Sequence, residues 1–125
     1  MRPRLVSVHA SQEAADHRVA VTLDWGEDER CAEVTGTDAE ALESVAARAT
    51  LHAIEVSAPA KVKLSLLAVA AANMIGSQTV LCHVQVNGTG ERFVGSVLVP
   101  GTDLALASAR SVLNALNRHL TRLSR

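Results

Sequence analysis

Apolar and polar residues along this chain change period in a fixed order, and the order occurs twice. In "HRVAVTLDW" the alternation puts Val19, Val21, Leu23 and Trp25 on one side and Arg18, Thr22 and Asp24 on the other, which predicts a half-buried strand. "RCAEV" predicts a second strand after the turn "GEDE", and "RLVSVHA" supplies one before them. The period then becomes helical across "TGTDAEALESVAARATLHAI", where Leu42, Val45, Ala49 and Ala53 share a face. Thr37 or Asp38 is the N-cap this pattern suggests, with Glu40 in the first turn.

The second half follows the same plan. "KVKLSLLAV" sets Val62, Leu64 and Leu66 against Lys61, Lys63 and Ser65. "TVLCHVQV" sets Val80, Cys82, Val84 and Val86 against Leu81, His83 and Gln85. "NGTG" reads as a hairpin turn into "ERFVGSVLV". Pro100 and Gly101 break the pattern, and Thr102 or Asp103 caps a helix whose core stripe is Leu106, Ala109, Leu113, Leu116 and Leu120. Local identity links the halves: "ARATLHAI" answers "ARSVLNAL", and Gly-Thr-Asp precedes both helices, at Gly36-Thr37-Asp38 and Gly101-Thr102-Asp103. The fold class that follows is α+β: duplicated βββα units with antiparallel strands covered by two helices. Residues 1–125 form one domain on this reading, with repeats over about 4–56 and 60–123 joined at "SAPA".

Two helices can cover only one face of the strands. The other face would carry Leu67, Val69, Leu81, Val94 and Leu98 among Lys63, His83, Gln85 and Ser96, which is too apolar for an isolated surface. A homodimer is therefore expected, with Leu67, Leu81, His83 and Leu98 on the dimer face.

Composition narrows the function classes. Hydrophobic residues make up 48% of the 125 but aromatic ones only 2%, so the core is aliphatic and few rings are available for stacking on bases. A net charge of −1 gives no electrostatic case for nucleic acid or an anionic membrane, and the basic stripe Arg110, Arg118, Arg122 suits a helix C-terminus. The apolar stretch Leu64–Ile75 is too short to span a bilayer, and "MRPRLVSVHA" lacks the apolar core of a secretory signal, so a soluble cytoplasmic protein is expected. Cys31 and Cys82 are isolated, which indicates neither a disulfide framework nor zinc.

Reactive constellations are equally scarce. His9, His17, His52, His83 and His119 form no chelating spacing, and Cys82 and His83 must point to opposite faces of a strand. Neither GxSxG nor a phosphate loop occurs. No catalytic residue, metal or cofactor is expected. What remains is the pair of Gly-Thr-Asp helix starts, whose free N–H groups suit a carboxylate such as that of an amino acid.

From "KLSLLAV" to "NALNRHL" the second half resembles the second repeat of the C-terminal regulatory domain of 2-isopropylmalate synthase. The shared features are the Lys-Leu strand, a turn at Gly76, a Gly at position 95, and the helix residues Asp103, Ala107, Ser108, Ala109, Ala115, Leu116, Asn117 and Arg118. The first half resembles the first repeat more loosely, through Gly36, Asp38 and Ala39. The resemblance implies a duplicated βββα module that pairs with a second copy and binds a feedback inhibitor, leucine, near the join of its repeats. The paired helix starts and that likeness together make Gly36, Thr37, Asp38, Gly95, Gly101, Thr102 and Asp103 the expected ligand residues. Two departures stand out: the synthase's catalytic barrel is absent, and "TGTDAEA" lacks the Pro-Val that the family carries at its first helix start. A non-catalytic regulatory module follows, binding an amino acid or keto acid. The alternative is an interaction domain that has lost the pocket and meets only a partner protein.

Overall fold

The computed structural model describes residues 3–25, 29–37, 39–58, 61–74 and 76–123. Strands β1 (Arg4–Glu13), β2 (Asp16–Asp24) and β3 (Glu29–Thr37) form one antiparallel sheet, followed by helix α1 (Leu42–Ser57). Strands β4 (Leu64–Met74), β5 (Ser77–Val86) and β6 (Arg92–Leu98) form a second sheet of the same order, followed by helix α2 (Leu104–Leu123). The α+β class and the doubled βββα order are therefore as the periodicity predicts. The turn "GEDE" falls largely outside the described residues.

Alternation decides which side chains enter the core. Val19, Val21 and Leu23 of β2 and Val80, Cys82, Val84 and Val86 of β5 are buried, while the residues between them are more exposed. The helices close over these rows, and both halves contribute to one aliphatic interior. Matching helix positions are buried alike: Ala47 with Ala109, Leu51 with Leu113, Ile54 with Leu116.

Each helix packs on its own sheet, on the other helix, and on the first strand of the other unit. Small residues let the helices approach, and Ser108 Oγ donates a 2.6 Å hydrogen bond to the carbonyl of Glu43 in the first turn of α1. At the far end of α1, Trp25 Nε1 donates to Ser57 Oγ at 2.7 Å, which fixes the last turn to the end of β2.

One residue interrupts the alternation in each first strand. Leu5 pairs with Leu23 and Ser7 with Thr22, leaving Val6 extra; Leu66 pairs with Val84 and Ala68 with His83, leaving Leu67 extra. These are β-bulges at matching places. Each shifts the pleat by one, so Val8 pairs with Val21 and Val69 with Cys82, on the inner side. Val69 thus packs against the core, which corrects its expected place on the outer face. Leu106 is likewise only half-buried, whereas Ala109, Leu113, Leu116 and Leu120 of its expected stripe are buried.

Gly95 sets the distance between α2 and β6. A Cβ there would collide with the carbonyl oxygen of Ser111 and lie 2.7 Å from the backbone nitrogen of Ala115. Helix backbone cannot yield as a side chain can. Gly95→Ala is expected to destabilise the fold by about 2–3 kcal/mol through overpacking, read as a lowered midpoint in urea with an unchanged slope.

Candidate functional site

The two Gly-Thr-Asp starts are built differently. Asp103 is a true N-cap: its Oδ1 accepts from the backbone N–H of Leu106 at 3.0 Å, and its carbonyl accepts from Ala107 at 3.1 Å. Gly101 adopts φ +61 in the exposed turn before it. In the first unit the strand instead continues through Thr37, which pairs with Asp16, and a turn follows in which Glu40 N–H donates to Thr37 O. Helix α1 begins only at Leu42, with Ala41 at its N-cap and no side-chain cap. Thr37 is thus not the cap, Glu40 precedes the helix, and Asp38 lies outside the described residues.

The glycines differ in the same way. Gly36 is buried within β3, where a Cβ would meet Val45 and the Glu40 carboxylate, and Gly95 is buried beneath α2. Gly101, Thr102 and Asp103 are exposed. Packing explains Gly36 and Gly95, and turn geometry explains Gly101.

The outer faces of the two sheets contrast sharply. On the first sheet, His9, Ser11, Cys31, Glu33 and Thr35 are exposed, and Arg18 pairs with Glu33 at 3.2 Å. On the second, Ala68, Ala70 and Ala72 of β4 lie beside Leu81 of β5, with Val94 and Leu98 of β6 beyond. Val94 and Leu98 are 66% and 65% exposed, and Leu67 at the bulge is 42% exposed. His83 is half-buried in the middle of this surface, paired across the strands with Ala68 and Val94.

Two clefts of about 300 Å³ each open elsewhere. One runs between α1 and β4, lined by Arg48, His52, Glu55, Ser65 and Leu66. Its charges largely satisfy one another. Arg48 pairs with Glu40, and Glu55 accepts from the Leu64 N–H at 2.9 Å with His52 Nδ1 3.9 Å from its other oxygen. The second cleft lies between the segment before β4, the β5–β6 turn and the end of α2, and is lined by Lys61, Lys63, Asn87, Thr89 and His119 among others. Among the described residues, neither cleft is lined by Gly36, Thr37, Gly101, Thr102 or Asp103. Sequence reasoning passed over Lys61, Lys63 and His119 as a group; the signal within reach was the Lys-Val-Lys spacing, which projects two cations to one side of an extended segment.

Among the described residues no group of three or more His, Cys, Asp or Glu converges on a point, and no helix is long and apolar enough to cross a membrane. Cys82 faces the core beneath α2. Burial pushes its thiol pKa up, against the smaller opposing effects of contacts with Ser111 and the Gly95 backbone. Cys31 is exposed. No protein-family model matches the chain, and no curated protein matches it.

The two thiols are expected to behave oppositely. At pH 8 a disulfide reagent should modify one thiol per native chain, Cys31, and reach Cys82 only after denaturation. Loss of fast labelling in Cys31→Ser checks the assignment.

Proposed function

We propose that this chain is a non-catalytic regulatory module that works as a homodimer and responds to a small metabolite. The observation that carries the reading is the contrast between its two outer sheet faces. The same βββα fold occurs twice, yet one face is charged and polar and the other is mainly Ala, Leu and Val, with His83, Gln85 and Ser96 among them. A second copy is the occupant that fits. The apolar face holds few ionisable groups, His83 in the middle and Arg92 at one end, so stacking it on itself brings little like charge together. A two-fold axis along β5 would lay the alanine row of β4 over the Val94–Leu98 row of the partner's β6, small against large. Three strands about 4.8 Å apart and about ten residues long give a footprint on the order of 500 Å². A pair then buries about 1,000 Å², near the threshold for a specific interface.

The scattered histidines and the buried, proton-retaining thiol of Cys82 support a binding role over turnover. The resemblance to the regulatory domain of 2-isopropylmalate synthase points the same way. A rival reading, an interaction domain without a metabolite site, draws on Asp103. Its carboxylate already occupies the N–H group that a bound acid would use at the start of α2.

Sedimentation velocity tests the self-association. The chain should run as a dimer at tens of micromolar, and Leu98→Glu with Val94→Glu should run as a folded monomer. Thr35→Glu, on the polar sheet, should leave the dimer unchanged. A monomeric parent chain at these concentrations would overturn the dimer. For the metabolite, thermal midpoints against branched-chain amino acids and keto acids should rise with at least one member.

A further inference from the structure

The cleft at the end of α2 is built from residues far apart in sequence. Lys61 and Lys63 come from the segment before β4, Asn87 and Thr89 from the β5–β6 turn, and His119 from the last turns of the helix. Its walls are tied by backbone hydrogen bonds: Asn87 N–H donates to Lys63 O at 2.9 Å, and Gly90 N–H to Val86 O at 3.0 Å. Asn87 Oδ1 also accepts from Ser65 Oγ at 3.1 Å.

His119 is the residue that packing alone does not explain. It is only 9% exposed, its ring stacks at a tilt on Phe93 with centroids 5.6 Å apart, and its Nδ1 is buried without a hydrogen-bond partner. A buried polar atom left unpaired is destabilising, because it has given up water without gaining a partner. A ligand bound in the cleft would relieve that cost.

We propose that this cleft binds a short aliphatic 2-keto or 2-hydroxy acid. Lys61 and Lys63 supply the countercharge for its carboxylate. Val62 and Val86, which line the same space, cover its aliphatic end. His119 Nδ1 meets the oxygen on the second carbon, donating to a keto group or accepting from a hydroxyl according to its tautomer. An α-amino acid fits poorly, because its ammonium would enter a cleft that holds two lysines and no carboxylate among the described residues that line it. A volume of about 300 Å³ is at the small end for ligand sites and suits a compact metabolite.

The proposal deepens the metabolite half of the regulatory reading and is independent of the dimer. Three matched four-carbon acids, 2-oxobutanoate, 2-hydroxybutanoate and 2-aminobutanoate, together with inorganic phosphate, test it on the full chain, titrated with amide chemical shifts as the readout. The two oxygenated acids should bind at millimolar levels or tighter and shift Lys61–Lys63 and Asn87–Thr89. The amino acid and phosphate should bind at least tenfold more weakly. Lys61→Gln with Lys63→Gln should weaken 2-oxobutanoate at least tenfold, and His119→Phe, which keeps a ring against Phe93, about fivefold. Amide shifts confined to other residues, equal binding of 2-aminobutanoate or phosphate, or undiminished binding in the lysine variant would each overturn the proposal. Sedimentation of the same samples separates this outcome from failure of the dimer.

Discussion

The separation between α2 and β6 at Gly95 governs the arrangement around it. With no Cβ at that position, the helix backbone lies almost on the strand. From there α2 can reach α1, where Ser108 meets the carbonyl of Glu43, while its far end places His119 over Phe93. The partner of Cys82 across the ladder is Gly95 itself, so the thiol is sealed beneath the same contact. The corresponding strand position in the first unit is Ala32, opposite Val21, and it is buried too. The two units share a plan and differ by a methyl group at this position.

Much of this was legible in the sequence because alternation is a strong signal where one face of a sheet is buried. The inner rows of β2 and β5 follow from their periods alone, and so does the face of α1 that carries Val45, Ala49 and Ala53. The start of α2 was legible as well, since Asp103 caps through its own side chain. The start of α1 was not. Thr37 and its neighbours have the composition of a cap, but Thr37 belongs to the β2–β3 ladder, and tertiary pairing outweighs local preference there.

The candidate sites were less visible for a related reason. Residues separated by about thirty positions or more, such as Lys61, Thr89 and His119, share a cleft only because two chain segments and a helix end meet. No spacing rule joins them. The apolar outer face could be read from the alternation of β5 and β6, though the first sheet's polar counterpart gains its meaning only when the two are compared on one fold.

The bulges at Val6 and Leu67 make the pleat of each first strand out of phase with itself. A genetic deletion of one codon at Leu67 would bring the two parts of β4 into phase. Leu64, Leu66 and Val69 would all keep their inward positions and the alanines beyond would keep their sides, because Ala68 would still pair with His83 and Val69 with Cys82. Such a loss of three nucleotides would remove the bulge and the exposed Leu67 side chain and leave the rest of the strand's two surfaces as they are. The extra residue at these two positions bends and twists the strand locally while the sidedness of its neighbours is fixed by the partner ladder.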